Sequence, residues 1–494
     1  MSILKERIFR QMLLLCLLVF LFSAKGHIMS ADTVASLETT QAIIDHGRLD
    51  IPFEEGHTTL SRDGKNYSKY GFGLPMYYIP LVAASDALSR WTHLPEADLA
   101  GFVISFASIP FAMLTLILFG KLLRVLEVSE LYVWLLPLAL GLGTLIWAYA
   151  GSDDSEEMQM AFLLLAIYGA VRRTPKAIVY GGIGFACLFL VKVVYVVFFP
   201  LLALYLITRP EEWRHRIRNT VVFTVPLIFA GCFDAWLNAI RFGNPLESGY
   251  GGEAKMFMFS QLPLTIPKLL VSPNKGLFIF CPILILGVLG WKQFASKYRP
   301  EAILFAIMIL VNLFITGAWW SWGGGWSWGP RLLVPFIPLW LLPIAFWLEH
   351  RQSKLAFKVF AVLFFVSFIV QIPGIVVKDQ EIHWIRYVEL NAVEQRAIPS
   401  DYAMACILLR HKLVEQNEVY RGPEFNLPAD RIVDLTRKRT FNGLNIWTEE
   451  VARLQNKPLL RWLPLLALFP ICYLAIKIGK EARAPESIKA GYTP

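Results

Sequence analysis

The sequence is short of charge. Only 17% of its 494 residues are Asp, Glu, Lys or Arg, where an ordinary soluble domain carries roughly 25%. It is also short of usable cysteine. Of six, Cys16, Cys187, Cys232, Cys281 and Cys472 fall in apolar runs and only Cys406 lies in a long polar segment. Neither a disulfide framework nor a zinc spacing can be built from that set. Internal repeats, low-complexity tracts and a nucleotide-binding loop are all lacking.

Apolar runs of about 15 to 22 residues recur instead from end to end, and a bilayer core takes segments of about 20. With 56% hydrophobic residues and a mean hydropathy of +0.50, the chain reads as a polytopic membrane protein. The net charge of +9 does not point to nucleic acid. Its basic clusters KERIFR, VRRTPK, RPEEWRHRIR, KQFASKYR and HRQSKLAFK alternate with the apolar runs, which is the positive-inside pattern of cytoplasmic loops.

Placing spans by apolar length predicts an all-α bundle of about 12 transmembrane helices. The N-terminal MSILKERIFRQMLLLCLLVFLFSA looks like a signal peptide, and the topology fits best if it is a retained first span. Residues 1–377 form the transmembrane domain, with a large first outer loop at about 28–100. Residues 378–458 form an extracytoplasmic segment or small cap domain, and 459–494 the last span and a cytoplasmic tail. The apolar run 177–208 is too long for one perpendicular helix and carries Lys192 at its middle. It predicts two short helices hinged at the outer face.

Most of the unusual sequence falls outside the membrane on the cytoplasm-distal side. ADTVASLETTQAIIDHG predicts an amphipathic helix with Val34, Leu37, Ala42 and Ile44 near one side and Gly47 as its stop. SRDGKNYSKYGFG reads as a hairpin-like stretch, and PMYYIPLVAASDALSRW as an interfacial helix.

Asp32 is placed where the chain leaves the first span, to take a proton from an acceptor hydroxyl. The competing reading is a helix N-cap. SDDSEE packs four carboxylates into a short loop. Asp153 or Asp154 is the candidate there for orienting an acceptor or a divalent cation, against a plain solvated loop. Lys192 lies inside an apolar run, a position that costs roughly 2.5–3.5 kcal/mol on insertion scales. Arg241, Lys275 and Arg331 sit at outer ends of spans, and Lys65 and Lys69 in the first outer loop. Cations on the disfavoured side predict an anionic ligand, phosphate above all.

WWSWGGGWSWGPR concentrates five tryptophans, four glycines and one arginine. Glycines allow tight turns and close approach, indoles favour the interface and suit sugar rings, and Pro330 starts the next helix with Arg331 in its first turn. Tyr67, Tyr70, Tyr250, Trp320 and Trp322 are the candidates for sugar or lipid contacts.

The ordered set SADTVASLETTQAIIDHGRLDIP, GKNYSKYGFGLPMYYIPL, GLGTLIWAYAGSDDSEE, RFGNPLESGY, SPNKGLFIFCPIL and GGGWSWGPRLLVPFIP, from about residue 31 to 340, resembles the GT-C superfamily of polytopic glycosyltransferases. That group includes protein O-mannosyltransferases and aminoarabinose transferases. The resemblance implies a GT-C-like bundle in a bacterial inner (cytoplasmic) membrane, with an outward-facing site. Its implied donor is a polyprenyl-phosphate sugar and its acceptor a lipid, glycan or protein. It implies Asp32 as base and Lys192, Arg241 and Arg331, with Lys69 and Lys275, on the donor phosphate. Asp32 is followed by Thr33 rather than the second acid of some relatives, which leaves the acceptor geometry and any divalent cation open. A flippase or transporter, or a non-catalytic assembly protein, remains the alternative.

Overall fold

The computed structural model describes residues 2–376 apart from 54, 55, 274 and 326, and residues 445–483 apart from 456, 458, 460 and 461. Most of the expected 378–458 segment, with Cys406, lies outside the described residues. What is described is helical, with a single two-stranded sheet among the described residues.

Among the described residues, five helical segments are long and apolar enough to cross a membrane: Glu96–Val125, Trp213–Phe242, Arg299–Ala318, Arg331–Arg351 and Lys354–Val376. They make this an integral membrane protein. Other apolar runs are broken into shorter pieces. The run near 276–291 is helix Leu277–Phe280, a turn at Cys281, a 3-10 turn Pro282–Leu284 and then helix Ile285–Lys297. Pro282 has no N–H to continue the helix. The freed backbone groups find partners on the neighbouring helix Lys354–Val376. The Ile283 N–H donates to the Ser367 hydroxyl at 2.9 Å, and the Gln371 amide donates to the Phe280 carbonyl at 2.6 Å. Such re-pairing is what a bilayer demands of a broken helix.

The long run around Lys192 breaks where its length requires. Helix Pro175–Val191 stops, Lys192 is extended (φ −155°, ψ 105°), and a 3-10 turn Val193–Phe198 leads into helix Phe199–Ile207.

Helices meet along glycine seams, as expected where lipid supplies no hydrophobic drive between them. A Cβ on Gly169 would lie 2.6 Å from the Gly181 Cα, and one on Gly182 would lie 2.5 Å from the Phe223 carbonyl oxygen. These contacts bring helix Glu156–Arg172 against Pro175–Val191, and that helix against Trp213–Phe242. Gly287 and Gly290 leave no room for a side chain beneath the Trp340 and Pro343 carbonyls.

The first outer loop corrects one expectation. Helix Ala31–His46 exists, and Gly47 ends it with φ 62°. Its buried side is not the apolar stripe, however. Thr33, Ala35, Ser36, Leu37, Thr39 and Thr40 are buried, whereas Ile44 is exposed. The hydroxyls are paired by bonding back one turn: Ser36 to the Asp32 carbonyl, Thr39 to Ala35 and Thr40 to Ser36, at 2.8–2.9 Å. Small polar residues suit a helix packed close to other backbone. Strands Thr58–Leu60 and Asn66–Ser68 form the expected hairpin, followed by helix Gly73–Thr92.

The glycine seams give a first prediction. Gly290→Leu, which forces a side chain into the Pro343 carbonyl, is expected to abolish recovery of monodisperse protein in detergent. Gly231→Leu, with open space around its Cβ position, should melt like wild type. Equal melting of both variants would refute the seam.

Candidate active site

SDDSEE is not a solvated loop. Asp153, Glu156 and Glu157 are buried. The Asp153 carboxylate accepts the N–H groups of Met29 and Ser30 at 3.1 and 2.9 Å. Its carbonyl accepts the hydroxyls of Thr33 (2.7 Å) and Tyr78 (3.3 Å), and the Asp154 carbonyl accepts that of Ser108 at 2.9 Å. Burial, then the neighbouring Asp154 charge, pushes the Asp153 carboxyl up to about 7 against the hydrogen bond from Ser30. Asp153 therefore ties the chain leaving the first helix to this loop and sets the start of helix Ala31–His46.

The helix N-cap is Ser30, with no side-chain cap bond, so Asp32 does not serve as the cap. Its carboxylate points into a cluster. Oδ2 accepts from Arg331 Nη2 at 2.6 Å, and Oδ1 accepts from the Tyr70 hydroxyl at 2.7 Å. His57 Nδ1 lies 2.5 Å from the Tyr70 oxygen and 3.6 Å from Asp32 Oδ1. The one Tyr70 hydroxyl proton is directed at Asp32, so His57 Nδ1 is assigned as the donor to Tyr70. Burial opposes ionisation of Asp32. The Arg331 charge, the hydrogen bonds from Tyr70 and Arg331 and the more distant Lys192 outweigh it and hold the carboxyl down to about 2.

Arg331 is the hub. Besides Asp32, its Nε donates to Glu156 Oε1 at 2.7 Å and its Nη1 lies 3.6 Å from Asp154 Oδ1. The glycines explain how the arginine reaches this spot. Gly324 (φ 73°) lies so close that a Cβ there would sit 3.1 Å from the Arg331 Cβ. At Gly329 (φ 65°) a Cβ would press on Leu145 and Phe280 at 3.0 Å. Both glycines are left-handed and packed, so both are required. Lys275 pins the same loop, donating to the Ser327 carbonyl at 2.6 Å and to the Ser327 hydroxyl and the Gly325 carbonyl at 3.1 Å.

The structure thus brings Asp32, Asp154, Tyr70 and Arg331 together. Lys192 faces the same group: its ammonium makes no hydrogen bond or ion pair among the described residues, and its charged neighbours are Glu156, Arg331, Asp32 and Asp154. Other candidates hold loops instead. Arg241 donates to the carbonyls of Ser68 and Tyr70 at 3.2 and 3.4 Å and to Asn238 at 2.7 Å. Lys69 pairs with Glu253 at 2.7 Å, with the Tyr70 and Tyr250 rings 5.7 and 5.5 Å from its ammonium. Tyr67 bonds Asp63 at 2.7 Å. Trp320 is exposed, and Trp322 lies 5.8 Å from the Lys268 ammonium. Among the described residues no group of three or more His, Cys, Asp or Glu side chains is arranged to hold a metal ion.

Two members were not singled out from sequence. Glu156 was hidden among three neighbouring acids, and the helix starting at Glu156 separates it from Asp153 and Asp154 but not from Glu157. His57 is an isolated histidine in a polar stretch. Pairing the hairpin across its SRDGK turn would have placed it beside Tyr70, since Thr58 pairs with Ser68.

No known family model matches the chain, and no curated protein matches it in sequence. Among solved structures it is similar to ArnT from Cupriavidus metallidurans bound to undecaprenyl phosphate, at 14% identity over 95% of this chain and 76% of that one, with a TM-score of 0.48. The apo state of the same protein aligns at 12% identity over 94% and 76%, with a TM-score of 0.44. The oligosaccharyltransferase AglB from Archaeoglobus fulgidus, in complex with an inhibitory peptide and a dolichol-phosphate, aligns at 8% identity over 86% of this chain and 60% of that one, also at 0.48. Both are GT-C superfamily glycosyltransferases.

The depressed Asp32 carboxyl gives a pH prediction. Its folded value lies below the ordinary carboxylate value of about 3.9, so it contributes stability that is present above about 3.9 and lost as pH falls toward about 2. Melting curves in detergent should show wild type losing more stability than Asp32→Asn as pH is lowered from about 5 to about 2.5. Parallel loss in both would refute the ion pair.

Proposed function

We propose that the protein is a membrane glycosyltransferase that moves a sugar from a polyprenyl-phosphate-linked donor to an acceptor on the outer side of a bacterial inner membrane. One observation carries the reading: an ionised aspartate at the start of the first loop helix, set against an arginine and an unengaged lysine at one end of the bundle. A donor phosphodiester needs cations, and an acceptor hydroxyl needs a base. The cluster has both within one constellation.

Asp32 takes the hydroxyl proton as the acceptor oxygen attacks the anomeric carbon. The bond from that carbon to the phosphate oxygen breaks, and its electron pair leaves with the phosphate. Lys192 and Arg331 stabilise the charge that develops there. Displacement in line inverts the anomeric centre. Tyr70 orients the base, and Tyr250, Trp320 and Trp322 offer ring faces near the loops. Arg241, Lys69 and Lys275 enter as residues that hold the loops in place. A lipid-linked donor needs no nucleotide, and a divalent cation, where the reaction uses one, would draw on Asp153 or Asp154.

Purified wild type and Asp32→Asn, given a panel of short polyprenyl-phosphate sugars, test the proposal by release of free polyprenyl phosphate. Release by wild type is expected to fall about 10²–10⁴-fold in the variant, with lipid binding retained. Equal release in both would move the base elsewhere. Lipid binding without release from any donor would instead favour a lipid carrier or an assembly protein.

A further inference from the structure

As the cluster stands, Asp32 is a poor base. Tyr70 occupies Oδ1 at 2.7 Å and Arg331 occupies Oδ2 at 2.6 Å. The phosphate side is equally engaged, because the guanidinium that should meet the donor is already shared among carboxylates. These two difficulties have one solution. Building on the glycosyltransferase reading, we propose that in the resting protein Asp32 occupies the donor phosphate's place on Arg331, so that donor binding and exposure of the base are a single exchange. The donor must then bind before the acceptor is activated.

Three features support the exchange. First, the two ends of the guanidinium are held unequally. Nε is fixed to Glu156, whose side chain is 1% exposed, whereas Nη2 faces Asp32, which is 34% exposed. An incoming anion reaches Nη2, and Glu156 keeps the arginine in place while Nη2 changes partner. Second, the stem of Arg331 is packed against Gly324, so the guanidinium stays where it is and only the partner of Nη2 changes. Third, the guanidinium donors are already taken. Asp32, Asp154 and Glu156 gather around Arg331, with Lys192 beside them. A further anion does not simply add to the cluster. It enters by taking a cation from a carboxylate, and Asp32 is the partner in reach. The unengaged Lys192 ammonium supplies a second contact.

Once the phosphate has taken Nη2, Asp32 keeps the Tyr70 hydrogen bond and loses its counter-charge. Its Oδ2 lone pairs open toward the acceptor and its basicity rises. Glu156 becomes a positioning residue, acting through Arg331.

The exchange predicts a result opposite to that of an ordinary binding residue: removing the Asp32 charge tightens the phosphate. Titration calorimetry in detergent with geranyl phosphate should show Asp32→Asn binding about tenfold tighter than wild type, within the usual range of coupling between sites. Arg331→Gln should bind more weakly, and the gain from Asp32→Asn should vanish in the double variant. An equal or weaker affinity of Asp32→Asn overturns the exchange, and this comparison decides alone if Arg331→Gln does not fold. A gain that persists without Arg331 also overturns it, because general charge relief then suffices. Inorganic phosphate is the head-group control. The same gain at comparable affinity would assign the site to free phosphate and overturn the lipid-linked exchange. Wild-type transfer activity lost in Asp32→Asn at unchanged affinity would leave the glycosyltransferase reading standing and remove only this inference. Failure of every folded variant, wild type included, to bind geranyl phosphate would remove both.

Discussion

The buried guanidinium of Arg331 is the charge around which this end of the bundle is arranged. One cation with donors pointing three ways holds Asp32, Asp154 and Glu156, which arrive from the first loop helix, from a tight loop and from the start of a bundle helix. A buried cation is expensive unless its partners come to it, and removing one partner strands the others. The neighbouring structure follows from this demand. The glycines at 324 and 329 let the loop fold close over the arginine stem and its neighbours, and Lys275 ties down the carbonyls at the loop's far side. Asp153 fixes the start of the helix that presents Asp32.

A second layer of contacts sets the orientation of the aspartate. Tyr70 and His57 lie at the base of a hairpin whose backbone carbonyls are held by Arg241, at the end of helix Trp213–Phe242, and whose Lys69 pairs with Glu253. Two loops distant in sequence thus fix one carboxylate. The cost of breaking the apolar runs into short helices is met inside the bundle, where Ser367 and Gln371 take over backbone groups that a straight helix would have paired itself.

Much of this was legible from residues whose placement is costly in only one way. Lys192 within an apolar run had to mark a break, and it does. The glycines and Arg331 beside Pro330 had to mark a tight turn bringing a cation to the membrane edge. Asp32 was found by its place in the chain. Less legible were features that depend on long-range geometry. The Ser and Thr face of helix Ala31–His46 is buried because backbone approaches it closely, which hydropathy cannot report. Cations read as phosphate ligands at 241 and 275 proved to have backbone carbonyls as partners, because a loop carbonyl and a phosphate oxygen present the same chemistry to a lysine or arginine. Glu156 and its three acidic neighbours differ in direction alone, and direction is set by the fold. Where the apolar runs are interrupted was hidden for a related reason, since apolar length does not reveal where proline stops a helix.

The hairpin has a consequence for how such a protein can diversify. Its base, at His57 and Tyr70, is committed to the aspartate, whereas its tip around Ser61–Lys65 is more exposed and is held by the Ser61–Lys65 and Asp63–Lys65 bonds, by Tyr67 on Asp63 and by Lys65 on Asp50. The arginine cluster sits on other pieces of chain altogether. The charged cluster and the hairpin tip are therefore separate modules. Substitutions at the exposed tip can accumulate without disturbing the charge balance beneath, leaving one piece of the chain free to vary over an unchanged arginine cluster.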